Sequence, residues 1–519
     1  MTNLTPEQRV LGRENANRAL GMTRRDLLKA AAATPALGAF YFGYKDMGQK
    51  PPVRAAIIGT GNEGCGAMIH DHNRDYLDFV GYCDIRPSQQ ARARKEFANH
   101  KQYGAKDAQA VKPYADTKEM LDDKDVEVVV IALPLHLHAP VAIEAMKAGK
   151  HVFCEKLMAH TVRECKEMCR VAREENKLLA VGHQRHYSVL YDNANYLVQN
   201  GHLGDIRHIR ALWHRNNANP RIAKDADGKP RFDPKTGLPE YVKDVEGNIV
   251  YIDGWKPEIP DLDKKVDFAE YGYKSLDELV RWRLYNRTGA GLMAELGSHQ
   301  LDACSIFLGK RHPIAVTGIG GSFFYTDNRE VDDHVFTLFE FPGVAKDDHV
   351  VVSYSSINTN SFDNYGEMVM GSRGTMIVEA EKEILLYKEA GHTSVSRLTS
   401  ITMEKGGGGK PVMEVSPSTA GPSAASSLGG LATADPSRGY REELEHFAYC
   451  VRHGDASNYH ADTEHQPRCR GEVAMADAII ALTSNLAMKQ KRRIEFDERW
   501  FDYTSPEVPE GAEAIAKRV

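Results

Sequence analysis

The chain has 519 residues, with 66 Lys and Arg against 72 Asp and Glu, and its net charge of −6 is small for that length. No broad basic stretch offers a face to nucleic acid, and no long acidic block forms a solvating tail. The length allows two or three domains with a large buried core. The eight cysteines include no C-x-x-C pair, which removes the commonest zinc and thioredoxin patterns and leaves no metal site to assign.

In chain order, the first feature is Thr23-Arg24-Arg25-Asp26-Leu27-Leu28-Lys29, which resembles the bacterial twin-arginine export consensus. The moderately apolar stretch 30–44 follows it, too short and too weak for an ordinary membrane span. Residues 1–50 are therefore expected to be a signal and linker, and the protein to be periplasmic or otherwise extracytoplasmic. No stable membrane span is expected, although an uncleaved signal would leave the chain membrane-associated. A basic amphipathic N-terminal helix is the competing reading.

Residues 51–182 alternate strand and helix. Apolar strands are predicted at 53–58, 78–84, 126–132, 151–154 and 178–182, with helical patterns such as 87–99, 139–148 and 162–175 between them. Such alternation implies a parallel sheet covered on both faces. The first strand runs into Gly59-Thr60-Gly61-Asn62-Glu63-Gly64, and Asp84 ends the next apolar run twenty residues later. In this context G-x-G-x-x-G is a dinucleotide-binding turn: Gly59 permits the tight turn, Gly61 lets backbone approach a pyrophosphate, and Gly64 lets helix and strand pack closely. Asn62 lies in the same loop, at a helix N-terminus suited to an anion. Asp84 is placed to accept the ribose hydroxyls of NAD, whereas Arg86 is placed to meet the 2′-phosphate of NADP; NAD is the favoured cofactor.

Residues 183–500 read as an α+β domain. A strand near 206–214 is followed by runs at 314–325, 334–341, 349–357, 367–370, 375–379 and 383–387, a largely antiparallel sheet with helices near 297–308, 441–452 and 471–489 over one side. Two insertions stand out, 216–276 and the low-complexity 406–435, and residues 501–519 form a tail. Asp225-Ala226-Asp227-Gly228 lacks the later ligands of a calcium loop and reads as a solvated turn.

In an open parallel sheet, ligands bind at the carboxyl ends of the strands. Those ends deliver Pro134 and His138, then Glu155 and Lys156, then Gln184, Arg185, His186 and Tyr187. Further on, Glu295 and His299 are four apart and share a helix face, with Asp302 in reach of the His299 ring. A carboxylate orienting an imidazole is a recurrent acid–base device. Trp213, Trp255 and Trp282 are candidates for stacking on a sugar, or for the core.

These segments, together with Ala148-Gly149-Lys150-His151-Val152-Phe153-Cys154-Glu155-Lys156 and Gly204-Asp205-Ile206, resemble the Gfo/Idh/MocA family over most of residues 53–500. The resemblance implies a Rossmann domain followed by an α+β domain, a nicotinamide cofactor, and sugar-like or cyclitol substrates. It puts Lys156 in the active-site lysine position, His299 in that of the catalytic histidine, and Glu295 where many members have aspartate. Gly59, Gly61, Asn62, Gly64, Asp84, Arg86, Pro134, His138, Glu155 and Lys156 would hold the cofactor. Gln184, Arg185, His186, Tyr187 and Asp302 would face the substrate. Departures are Leu135 for an asparagine, His186 for an arginine, and Leu157 for the proline of Glu-Lys-Pro. With leucine there, a trans Lys156–Leu157 peptide is expected.

Hydride transfer from a carbohydrate hydroxyl is the first functional expectation. An exported enzyme would lose a freely exchanging cofactor, so a tightly held, internally recycled one is expected, which opens redox-neutral glycoside cleavage or epimerisation. A non-catalytic sugar- or cofactor-binding protein is the remaining class. The uncovered face of the antiparallel sheet suggests a homo-oligomer.

Overall fold

The computed structural model describes residues 4–20, 42–225, 229–247, 249–389, 401–405, 411–415 and 438–511. The twin-arginine segment 23–29 and most of the 406–435 insertion lie outside the described residues. Around them, two sheets organise the chain.

The first sheet is parallel, in the order β3-β2-β1-β4-β5-β6. Its strands are β1 Val53–Ile58, β2 Leu77–Cys83, β3 Lys112–Pro113, β4 Val128–Ile131, β5 His151–Glu155 and β6 Leu179–Gly182. Strands β4, β5 and the edge strand β6 are buried at every position, as continuous apolar runs must be when both faces are covered. Chain order reverses between β1 and β4, and ligands bind at such a switch point. Only the two-residue β3 escaped the sequence reading.

The second sheet has the order β15-β14-β13-β7-β12-β11-β10-β18. It comprises β7 Ile206–His214, β10 Ala315–Gly321, β11 His334–Pro342, β12 His349–Ile357, β13 Tyr365–Gly371, β14 Gly374–Glu379, β15 Glu383–Lys388 and β18 Ile494–Glu495. All its pairings are antiparallel except β7 with β12. Burial alternates along β11 and β12, so one face packs on helices Ser298–Phe307 and Gly471–Gln490 while Ile319, Phe336, Leu338 and Val351 point outward. The 216–276 insertion carries the short pair β8 Ala218–Pro220 and β9 Tyr251–Asp253. Beyond β15, β16 Ile401–Lys405 and β17 Pro411–Val415 form a separate ribbon.

The N-terminal region is more structured than a signal and linker requires. Helix Pro6–Ala19 opens on a Thr5/Gln8 capping box and lies along β15. Arg9 pairs with Glu383 at 2.7 Å and with Glu379, and the Tyr387 hydroxyl donates to the Gln8 carbonyl at 2.9 Å. Phe42, Tyr44 and Met47 are buried in the Rossmann core, with the Tyr44 hydroxyl donating to Glu445 at 2.6 Å.

Candidate active site

Between the two sheets lies a cleft of ≈ 970 Å³ that takes its walls from both domains. At one end sits the glycine turn. Gly59 has φ +90°, and a Cβ there would lie 2.3 Å from the Ala132 carbonyl oxygen; one on Gly64 would lie 2.1 Å from the Gly59 oxygen. Gly61 faces open space, the bare backbone a pyrophosphate needs. Asp84 accepts hydrogen bonds from the Thr60 amide (2.8 Å) and the Arg86 amide (2.8 Å). A carboxylate has about four lone-pair sites, so capacity for ribose hydroxyls remains. Asn62, Pro134 and His138 also line the cleft. His138 spans the carbonyls of Leu133 and Leu157, each at 2.8 Å, and so braces the wall. These features fit a dinucleotide.

The 216–276 insertion closes over the adenosine end, where Tyr271 and Tyr273 join the wall. Its Asp263, fully buried, accepts from Arg86 Nε (2.9 Å), the Ser88 amide (2.9 Å) and the Ser88 hydroxyl (2.6 Å). Arg86 is thereby neutralised, and a 2′-phosphate would meet a carboxylate as well as a guanidinium. No motif in the sequence announced Asp263.

Next to the turn, with Glu63 as the leading charge on Glu155, β5 delivers Glu155 and Lys156. Burial raises the Glu155 carboxyl well above the usual range, and its Oε1 has no partner among the described residues. The Lys156–Leu157 peptide is cis, not trans as expected. The buried Leu157 side chain and the His138–Leu157 hydrogen bond hold the segment where it is. Lys156 Nζ donates to the Glu295 carbonyl at 3.1 Å. A π-helical turn, Met293–Gly297, joins directly to helix Ser298–Phe307 and sets Glu295 and His299 on the cleft wall. Burial opposes ionisation of Glu295, but Arg283, 2.8 Å away, and Lys156 outweigh it and hold the carboxyl below its ordinary value. Burial, reinforced by Lys156 and Arg185, pushes His299 well below the usual imidazole value, and its Nδ1 has no partner among the described residues.

The expected substrate-facing group is arranged differently. Gln184, Arg185, His186 and Tyr187 form a buried 3₁₀ turn after β6, and neither they nor Asp302 lines the cleft. Asp302 turns from His299 to His186 (2.8 Å) and Lys310 (2.7 Å). Arg185 binds Glu367 (3.0 Å), Glu381 (3.1 Å) and the His299 carbonyl, so it braces the helix that carries His299 from behind. Tyr187 contacts His446 at 2.9 Å. The cleft instead takes Arg215, Arg283, Arg438 and Tyr440, which sequence reasoning missed, and all three candidate tryptophans, Trp213, Trp255 and Trp282.

Residues 53–183 match the family model described as the Gfo/Idh/MocA oxidoreductase family, NAD-binding Rossmann fold, and residues 266–377 match the Gfo/Idh/MocA C-terminal domain. Inositol 2-dehydrogenase of Salmonella typhimurium is 31% identical over 154 residues, 29% of this chain and 43% of that protein. A glycosyl hydrolase family 109 protein of Shewanella pealeana is 29% identical over 170 residues, 31% of this chain and 35% of that protein. These matches span less than half the length of the curated relatives. Among solved structures, an aldose–aldose oxidoreductase from Caulobacter crescentus superposes with a TM-score of 0.54 at 18% identity, covering 86% of this chain and 100% of that one. With a stretch of each domain matched in sequence and the two-sheet architecture shared, the chain is similar to the Gfo/Idh/MocA oxidoreductase family.

Proposed function

We propose that this protein is an NAD-dependent oxidoreductase that oxidises a hydroxyl-bearing carbon of a sugar, glycoside or cyclitol. One observation carries the reading: His299, which burial holds well below its ordinary pKa, and the amino group of Lys156 line one cleft with a glycine cradle. His299 takes the hydroxyl proton, and Lys156 donates a hydrogen bond to the oxygen as negative charge develops on it. Glu295, ionised against Arg283, lines the same cleft wall one helical turn before His299. NAD, held by the glycine turn and Asp84, would supply the hydride acceptor for that carbon. The relatives named inositol 2-dehydrogenase and aldose–aldose oxidoreductase support this substrate class.

The closed adenosine end favours a captive cofactor that is recycled in place. That would suit export through the segment 23–29 to a compartment without a soluble NAD pool. It also keeps open a redox-neutral variant, glycoside cleavage or epimerisation, in which transient oxidation acidifies a neighbouring C–H; the family 109 relative points the same way. Protein purified without added cofactor should carry NAD by mass spectrometry. Asp263→Asn should release it at least about tenfold faster and narrow the preference for NAD over NADP, since it frees Arg86 and removes the repelling carboxylate. Equal release rates and equal preference would refute the clasp.

The outward row Ile319, Phe336 and Leu338 supports a homo-oligomer formed through the second sheet, because apolar faces of this kind are normally covered. Light scattering should read a dimer or larger; a monomer at micromolar concentration would contradict it.

A further inference from the structure

The basic residues at the catalytic end are not equivalent. Arg283 is neutralised by Glu295 at 2.8 Å, and Arg438 by Glu381 at 2.6 Å. Arg215 has no carboxylate partner among the described residues, although it lines the same cleft. Its backbone is fixed, the amide donating to the Ile357 carbonyl at 2.8 Å as β7 leaves the sheet. Its guanidinium lies over the Trp213 ring, 4.7 Å from the centroid. Burial pulls the group below its ordinary pKa, with Glu295 as the leading opposing charge. An arginine stays charged in any protein, so a half-buried guanidinium with no counter-ion is a cost that a bound anion removes.

Position decides whose anion. The indole that carries Arg215 also contacts the His299 ring, with centroids 5.5 Å apart. Arg215 is therefore on the His299 side of the cleft, where the substrate is expected. Stacking leaves the in-plane N–H groups free, and that edge matches a carboxylate bidentately.

Resting on the oxidoreductase reading, we infer that the substrate is an acidic sugar, whose carboxylate or phosphate group is held by Arg215 while a neighbouring hydroxyl meets His299. Trp213 serves both, as a platform for the guanidinium and a wall beside the catalytic ring. Neutral sugars fit the same pocket but leave Arg215 uncompensated.

The test is calorimetric binding to the cofactor-loaded full chain, with nicotinamide absorbance recorded on the same samples. The probes are glucuronate and galacturonate, glucose 6-phosphate, and the neutral parents glucose and galactose. At least one acid should bind at least about tenfold tighter than its parent, by the worth of a charge-assisted hydrogen bond. A uronate preference identifies the carboxylate and a phosphate preference the phosphoryl group. Arg215→Met should bring the ratio of acid to neutral affinity close to one with cofactor content unchanged, and Arg215→Lys should retain part of it. Neutral sugars binding as tightly as acids, no measurable binding of any probe, or an acid preference that survives in Arg215→Met would each overturn the proposal. Should a variant fail to fold, the wild-type ratio and its weakening by salt still decide. Acid binding with no nicotinamide reduction, cleavage or epimerisation of any sugar would instead defeat the oxidoreductase reading and leave the anion site standing.

Discussion

Lys156→Ala is expected to lower sugar-dependent nicotinamide reduction by roughly 10²–10⁴-fold, the range for removing a positioned proton-transfer or oxyanion-holding group. Cofactor content should stay at the wild-type level. The residue's Nζ reaches across the cleft to the Glu295 carbonyl, whereas the dinucleotide end is built from Gly59, Gly61, Asp84 and the Asp263 clasp. The two groups share no residue, so chemistry and cofactor retention should divide cleanly between variants. Wild-type turnover in Lys156→Ala would remove the site assignment and revive the non-catalytic binding reading. Loss of cofactor together with activity would show that the lysine serves the cleft wall instead.

His299→Asn should cost a comparable factor, and the pH profile of the wild type carries the sharper information. The base must be neutral to accept a proton, and burial holds His299 well below the ordinary imidazole value. Activity should therefore persist as pH falls through 6.5, the ordinary value, and fail only at distinctly lower pH. In kcat/KM this acid limb belongs to the free enzyme, and it should vanish in whatever residual activity His299→Asn retains. An acid limb centred at or above the ordinary histidine value, or one unchanged in His299→Asn, would mean that another group is the base.

Local signals made much of this legible. The Rossmann strands announce themselves as apolar runs of strand length, and Gly59 to Gly64 sit between one such run and a helix, so the cradle and its switch-point position followed from sequence. Lys156 and His299 were recognisable from their motifs, and both line the cleft. Residues 184–187 were misjudged because a strand end fixes where the chain goes but not which way side chains turn. The 3₁₀ turn after β6 gives Arg185 to Glu367 and Glu381, His186 to Asp302 and Tyr187 to His446, all partners more than a hundred residues away. Asp302 reads as a partner for His299 from helical spacing alone, yet Lys310 and His186 compete for it and win. Asp263 and Arg215 carry no motif, because their roles exist only once the insertion and β7 reach the cleft. The cis Lys156–Leu157 peptide likewise depends on neighbours, His138 among them, that local propensity does not include.

The central claim is that a carbon-bound hydrogen of a sugar leaves as hydride within this cleft and stays on the bound nicotinamide. Its most direct test is to incubate cofactor-loaded protein with C-deuterated acidic and neutral sugars, then release the cofactor and weigh it. Deuterium on the nicotinamide ring, absent when Lys156→Ala is used, is the predicted result. A cofactor that stays at natural mass with every sugar, while the protein demonstrably binds one of them, would contradict the account.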